Sequence, residues 1–312
     1  MDTPRVGLLV GRERSFPDAL IAEVNSRNAG VIAEYASVDI THVGEKLGYA
    51  VLIDRISHDV QCYQPYLKYA ALTGVHVINN PFWRIADDKF FDTALASLLG
   101  VAVPKTVVLP SKSYGSDVTA ASLHNLRYPL GWERMVKELG FPMYMKPHWG
   151  GGWRDVYRVT SMDELWATFD KTERLTMIVQ EEIQWTQYVR CIVIGRENVL
   201  PALWNPSLSH FERYTQAAAT MPALSPELEA RVVRDAKSIC RALGYDMNTV
   251  EFAIRDGVPY AIDMMNSAPD FDVTSLGETQ FRWTVNAMAD LVVRLAKTPA
   301  KKITDAESIL AR

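Results

Sequence analysis

The feature that most restricts this chain is the alternation, over residues 5–80, of short apolar runs with stretches of helical periodicity. Arg5–Val10 reads as a strand, Pro17–Asn28 as a helix and Ala50–Ile53 as a second strand. Cys62–Leu72 is again helical and Val75–Ile78 again strand-like. Strands that alternate with helices predict a parallel, doubly wound sheet, because a parallel pair needs a long crossover and a helix supplies it. No G-x-G-x-x-G follows the first strand, so a dinucleotide-binding version of that fold is not supported.

The rest of the sequence has a different rhythm. Asp87 or Asp88 can start a helix with Phe91, Leu95 and Leu98 on one face, stopped at Gly100. Met143–Lys146 and Asp155–Val159 read as strands around a glycine-rich turn, and Ser161-x-x-Glu164 is a capping box that opens a helix. Met177–Val179 and Val189–Ile194 are strand-like. Ser225 with Pro226 behind it starts a helix with the stripe Leu228, Val232, Ile239 and Leu243, and Gly244 ends it. Thr249–Arg255 and Val258–Asp263 flank Asp256-Gly257, a hairpin signal, and Val273–Ala296 is one long helical stretch. The expected class is therefore α/β followed by α+β with antiparallel pairs, without internal repeats. Ser111–Thr119 is the most linker-like segment.

Composition removes several function classes. The 312 residues carry a net charge of −4, which gives no electrostatic footprint for nucleic acid. No apolar run approaches the ~18 residues of a membrane helix, and the first apolar stretch is too short for a signal-peptide core. Cys62, Cys191 and Cys240 form neither a disulfide framework nor a metal-ligand pattern, and the six histidines show no zinc spacing. A reducing cytoplasm is the expected location. The oligomeric state stays open, with a homodimer among the options.

Four constellations carry chemistry. Lys146 ends a strand and Gly150, Gly151 and Gly152 follow, so a point charge for phosphate stands beside a backbone that an anion can approach closely; the competing reading is a surface hairpin. Asp88-Lys89 offers a second lysine at a helix start, where lysines are commonly solvated. Gln180-Glu181-Glu182-Ile183 links two strands and can present backbone groups to an adenine edge, with Gln187 just beyond; an ordinary connection would look similar. Arg190 sits inside the apolar strand that follows, so it needs a partner, either a structural acid or a bound phosphate or carboxylate. Glu251 and Asp263 stand on the two arms of the hairpin with Asn266 beyond, a set of hard oxygen ligands suited to magnesium.

Hairpin geometry decides whether the two acids can share a metal. A three-residue loop, Arg255-Asp256-Gly257, puts Glu251 and Asp263 on one face, whereas a two-residue loop sends Asp263 to the other. The metal reading expects the longer loop, or a bulge with the same effect. It also needs the chain to leave strand geometry near Met264-Met265 if Asn266 is to join.

Taken in order, Asp88-Lys89, Lys146-Pro147 with its glycines, Gln180–Ile183, Arg190 and Glu251…Asp263…Asn266-Ser267-Ala268-Pro269 resemble the ATP-grasp superfamily, most closely the RimK-type and glutathione-synthetase-like carboxylate–amine ligases. The resemblance covers roughly residues 75–296. It implies an ATP-grasp fold with an N-terminal doubly wound substrate subdomain (1–84), a small central α+β subdomain (85–183) and a C-terminal antiparallel α+β subdomain with the metal site (184–312). It implies ATP held by Lys89, Lys146, Gly150–Gly152 and the hinge Gln180, Glu181, Glu182 and Ile183, and Mg2+, with Mn2+ an alternative, on Glu251, Asp263 and Asn266. Two departures stand out. Gln187 occupies the region where the family often has an acid for the ribose, and Asp263 and Asn266 are three residues apart where the family has two.

At the carboxyl end of the N-terminal strands, Gly11–Ser15 and Asp54–His58 bring Arg12, Arg14, Arg55, Ser57 and His58 to the ligand end of a parallel sheet, with Asn79-Asn80 beside them. Arginines there suit an acidic small substrate, with exposed loop charge as the alternative. Trp204–Tyr214, including Arg213, is a candidate lid or substrate loop. The implied activity is an ADP-forming ligase that joins a small carboxylate to an amine through an acyl phosphate, with Arg190 and Lys146 catalytic. The alternatives are a small-molecule kinase on the same fold and an ATP-binding regulatory protein without turnover.

Overall fold

A computed structural model describes residues 3–82 and 88–298. Asp87, one of the two candidate helix starts, lies outside the described residues. The chain divides into two compact units. One comprises Met1–Ile85, Gln187–Phe252 and Met265–Arg312, and the other Ala86–Thr186 and Ala253–Met264. The segment expected as a central subdomain thus forms a unit with one short later segment, and the N-terminal and C-terminal segments fall together in the other.

In the first unit, β1 (Arg5–Leu9), β2 (Ile32–Tyr35), β3 (Val51–Asp54) and β4 (His76–Ile78) form the expected parallel sheet, in the order β2-β1-β3-β4. Helices α1 (Ser15–Ser26) and α2 (Tyr63–Leu72) bury Phe16, Leu20 and Val24, and Tyr66, Leu67 and Ala70, respectively. The passage from β2 to β3 is a loop rather than a helix. Its Tyr49 ring lies where a Cβ on Gly7 would sit, 2.8 Å away, so glycine is required in β1 for this close cover.

The second unit begins with α3 (Lys89–Leu98), capped by the Asp88 side chain, which accepts from the Phe90 and Phe91 amides. The face expected to be buried is not. Leu98 is 86% exposed and Phe91 is exposed, while Asp92, Thr93 and Ala96 are buried. The apolar periodicity was a true period assigned to the wrong face. Next come β5 (Thr106–Leu109), α4 (Trp132–Leu139), β6 (Met143–Pro147), β7 (Tyr157–Val159), α5 (Met162–Lys171) and β8 (Met177–Glu181), whose strands make an antiparallel sheet ordered β5-β8-β6-β7. Alternation splits this sheet cleanly. Met143, Met145, Met177, Val179 and Leu109 go into the core against Leu165 and Phe169, and Lys146 and Gln180 to the other face. At the start of α5, Ser161 Oγ accepts from the Glu164 amide as expected, but Glu164 reaches back to the Thr160 amide and hydroxyl instead of closing the box on Ser161. Ser111–Thr119 lies inside this unit and is not a linker between units.

The first unit then resumes. β9 (Gln187–Ile194) pairs antiparallel with β10 (Asn198–Leu203). After α6 (Ala217–Thr220), α7 (Pro226–Leu243) carries the expected cap, Ser225 Oγ accepting from the Leu228 amide, and ends at left-handed Gly244. β11 (Met247–Arg255) runs next to β9 and turns through Asp256-Gly257 into β12 (Val258–Asp263), the stretch Ala253–Met264 belonging to the second unit. The long C-terminal helix is broken. Gly277 at φ 76°, ψ 160° separates α8 (Val273–Leu276) from α9 (Glu278–Ala296), a conformation that side chains rarely adopt. Among the described residues no helix is long and apolar enough to cross a membrane.

Candidate functional site

The second unit assembles the lysines. Asp88 and Lys89 tie the start of α3 to the glycine turn three times: Asp88 by a backbone bridge to Trp149 and by its carboxylate to His148 Nδ1 at 3.1 Å, and Lys89 by its amide to the His148 carbonyl at 2.8 Å. Lys89 is thereby fixed beside the chain that leaves Lys146. Lys146 is 9% exposed and donates to Gln180 Oε1 at 3.1 Å, while Gln180 Nε2 donates to Thr106 Oγ1 at 3.0 Å. A buried lysine needs such partners, and this file of polar groups holds the ammonium on the face away from the core. Lys89 Nζ lies 3.2 Å from Asp263 Oδ1, so Asp263 is its ion-pair partner.

The turn itself is open. Gly150 and Gly152 have φ of 98° and 74°, which explains glycine at both. Gly151 is different: its φ is not positive, and a Cβ there would meet nothing within 4 Å. Neither the backbone conformation nor a protein neighbour within 4 Å requires glycine at 151. Exposed Trp149 and Trp153 flank the turn.

The hinge is partly occupied by the fold. The Glu181 amide donates to the Lys105 carbonyl and the Glu182 amide to that of Pro142. Any adenine edge therefore has the backbone about buried Ile183 to read, not these two amides. The Glu181 carboxylate lies 3.8 Å from Arg255, and Glu182 pairs with Arg158 and accepts from Tyr144. That charge-assisted contact holds the Arg158 guanidinium above its usual range.

The first unit presents one chemically dense sheet face. Alternation puts Tyr188 and Arg190 of β9 on the same side as Thr249 and Glu251 of β11. Arg190 donates to Thr249 Oγ1 at 3.1 Å and lies 3.4 Å from Glu251 Oε1; the Tyr188 hydroxyl donates to Glu251 Oε2 at 2.9 Å. The Arg190 partner left open by sequence is therefore Glu251, itself a candidate ligand. The Trp204 amide donates to the Tyr188 carbonyl, extending the β9–β10 pairing, so the indole joins the same face. Trp204 and Tyr214 bound the expected lid or substrate loop, whereas Tyr188 and Thr249 were not given a role in the sequence; a polar residue two positions from Arg190 on one strand was the available signal. Burial pushes the Tyr214 hydroxyl up to about 12, against the pull of Arg190.

The candidate loop folds over this face. Asn205 is buried and pins its own turn, accepting from the Ser207 amide and donating to Thr220 Oγ1. Arg213 donates to the Leu208 carbonyl, and His210 lies 2.9 Å from Asp270. Gln187 does not face outward for a ribose; both of its amide bonds go to the carbonyls of Pro222 and Ala223.

The hairpin corrects the expected loop. Asp256 and Gly257 have φ of 53° and 72°, the two left-handed residues of a two-residue primed turn, so the three-residue loop is absent. Arg255 stacks on Tyr260 at 4.6 Å, in keeping with the two-residue register. Regular alternation then carries Val258, Tyr260 and Ile262 on the Arg255 face. The chain does leave strand geometry after Asp263, as Asn266 required, and the Asn266 amide is held by buried Asn248 at 2.8 Å. Glu251, Asp263 and Asn266 are hard oxygen donors of the kind magnesium takes, and Asp263 is also the partner of Lys89.

The arginines at the end of the parallel sheet are corrected too. Arg55 is neither exposed nor directed at a ligand. Its guanidinium is bidentate on Glu13 at 2.5 and 2.7 Å, donates to the Pro269 carbonyl and stacks between Phe16 and Phe271 at 5.0 and 5.2 Å. Ser57 is buried on Asp54, His58 lies near Asp59, and Arg14 bonds the carbonyls of its own loop at Gly11 and Glu13. Arg12 is exposed.

No family model matches the sequence. Human mitochondrial pyruvate carboxylase is 26% identical over 247 residues, 75% of this chain, but this chain spans only 19% of that protein. A D-alanine–D-alanine ligase from Ralstonia nicotianae is 26% identical over 188 residues, 55% of this chain and 56% of the relative. Among solved structures, the D-alanine–D-alanine ligase of Bacillus anthracis complexed with ATP superposes with a TM-score of 0.64 at 16% identity, covering 94% of this chain and 97% of its own. A RimK domain ATP-grasp protein of Sphaerobacter thermophilus gives 0.65 at 18%, covering 93% and 99%.

Proposed function

We propose that this chain, an ATP-grasp protein by fold, is an ATP-dependent, ADP-forming ligase that joins a small carboxylate to an amine. The observation that carries the reading is the second unit's placement of Lys89 and Lys146 beside an open, exposed glycine turn. Its support is the fold shared with D-alanine–D-alanine and D-Ala:D-Ser ligases. In this reading the carboxylate oxygen attacks the γ-phosphorus of ATP and ADP leaves. The amine nitrogen then attacks the acyl carbon, phosphate leaves and the nitrogen loses a proton.

The residues have separable roles. Lys146 and Lys89 balance phosphate charge, and Asp263 keeps Lys89 in place until phosphate competes for it. The exposed amides of Gly150–Gly152 approach phosphate oxygens. Arg190, charged throughout and aligned by Thr249, steadies the transferred phosphoryl and then the tetrahedral oxyanion. Glu251 and Asn266 are the residues that would hold magnesium, which supplies charge neutralisation at the phosphates. Arg12 and Arg213 are the remaining arginines for the acid substrate.

Arg190→Lys is expected not to restore turnover, because lysine keeps the charge and loses the planar fork. An ADP-release screen of amino acids and small peptides, with and without added carboxylates, tests the reading. ADP and phosphate released together only when both substrates are present supports it. A stable phosphorylated product identifies a kinase instead, and lysine at 190 restoring turnover removes the fork from the account.

A further inference from the structure

The antiparallel sheet of the second unit ends at β5, and that edge is open. The strand order is β5-β8-β6-β7, and β5 pairs with β8 alone. The Glu181 amide donates to the Lys105 carbonyl, which fixes the hydrogen-bonded pairs of this ladder as Lys105 with Glu181, Val107 with Val179 and Leu109 with Met177. Thr106 and Val108 lie in the alternate pairs, so their backbone N–H and C=O groups point away from β8. The other side of β8 agrees. The Glu182 amide donates to the Pro142 carbonyl, so Gln180 and Ile178, which stand opposite Thr106 and Val108, direct their backbone groups to β6. Val108 is 43% exposed. A groove of about 190 Å3 runs beside the strand, between residues 107–110 on one side and Leu130, Trp132 and Met135 on the other. Side chains of a strand alternate between faces, so a groove that touches four consecutive residues follows the edge and not either face. We infer that this edge is an interface whose occupant is the same edge of a second copy of the chain, the two β5 strands pairing antiparallel about Val107.

The sequence of the edge selects a second copy. Pro104 and Pro110 bound the stretch Lys105-Thr106-Val107-Val108-Leu109 at equal distances from Val107. Proline has no N–H to give a ladder, so a well-matched partner strand stops where these prolines stop it. A twofold axis at Val107 brings Pro104 of each copy opposite Pro110 of the other, and pairs Thr106 of each with Val108 of the other. Those are the residues whose groups point outward, so two complete hydrogen-bonded pairs form. Sliding the register by two residues in either direction sets a proline against one of them and loses a bond. Charge does not oppose the pairing. Lys105 is the one charged residue between the prolines, and each Lys105 then stands opposite Leu109 of the other copy, about 13 Å along the strand from its like. Val107, Leu130 and Trp132 pack on the same core, so the Val107 side chain of one copy enters the groove of the other.

The test is sedimentation equilibrium of the full chain across a wide concentration range, for wild type, Val108→Pro and Val108→Ala. Proline at 108 removes the outward N–H and leaves the ladder to β8 whole, because β8 bonds Val107 and Leu109. Wild type is expected to form a reversible dimer. Val108→Pro is expected to raise its dissociation constant at least tenfold, and Val108→Ala, which keeps the N–H, by less. Hydrogen exchange at the Val108 amide of wild type is a second measurement, and it decides the matter even if Val108→Pro does not fold. The amide is expected to be protected at high concentration and to exchange freely on dilution. A wild type that is monomeric throughout overturns the inference and leaves the prolines as devices that blunt a bare edge. A monomeric wild type that instead binds an extended peptide of another protein along β5 overturns the second copy as occupant. A dimer that Val108→Pro leaves unchanged, or in which the Val108 amide exchanges as fast as in the monomer, puts the contact elsewhere and overturns it as well. None of these outcomes bears on the ligase reading, which rests on other residues.

Discussion

Replacing Lys146 by alanine is expected to weaken Mg-ATP binding or turnover at least tenfold, about 1.4 kcal/mol. The size follows from where the ammonium sits. It is buried at the foot of the glycine turn, held by Gln180, which is held in turn by Thr106. A charge fixed in a poorly solvated place interacts with phosphate more strongly than one on the surface, and needs no reorganisation when phosphate arrives. Alanine removes the charge and deprives the Gln180 oxygen of its donor. Equilibrium binding of Mg-ATP, with the unfolding midpoint as control, checks this. Unchanged affinity and turnover would remove Lys146 from the nucleotide site.

The second large effect is on stability. Arg55→Ala is expected to destabilise the protein by about 3–5 kcal/mol, the cost of leaving one member of a buried ion pair behind. Arg55 is 6% exposed and its guanidinium joins four separate places in the first unit: Glu13, Phe16, Pro269 and Phe271. Alanine strands the Glu13 carboxylate and the Pro269 carbonyl and opens the space between two aromatic rings. The same principle predicts that Glu13→Gln with Arg55→Met recovers much of the loss, since no charge is then left unpaired. Urea unfolding of the three proteins measures it. An unchanged midpoint with loss of activity in Arg55→Ala would return Arg55 to the substrate site.

These two residues also mark the limit of what the sequence could disclose. Lys146 was legible because the strand, the lysine and the glycines are contiguous, and alternation alone separates Lys146 from Met143 and Met145. Arg55 was not, because its partners Glu13, Phe16, Pro269 and Phe271 are scattered over more than two hundred residues, and a loop arginine gives no local sign of being buried. The parallel sheet was legible from periodicity, as were the caps at Ser225 and Asp88, whose chemistry is local. The exposed face of α3 was not, since periodicity gives the angle of an apolar stripe and not the direction it faces. The hairpin shows the opposite failing: Asp256-Gly257 is the ordinary sequence for a two-residue primed turn, and the three-residue loop was favoured only because a shared metal site demanded it. Geometry that the local sequence already specified took precedence over the expected loop.

The most direct measurement of the ligase reading follows an oxygen atom. Once the screen supplies a carboxylate and an amine that together release ADP, the carboxylate is labelled with 18O and the phosphate produced is examined by mass spectrometry. Attack of the carboxylate oxygen on the γ-phosphorus, followed by cleavage at the acyl carbon, carries one labelled oxygen into phosphate for each ADP formed. Phosphate carrying that label is the predicted result. Unlabelled phosphate in the presence of product, or a label retained on a stable phosphorylated compound, would contradict it.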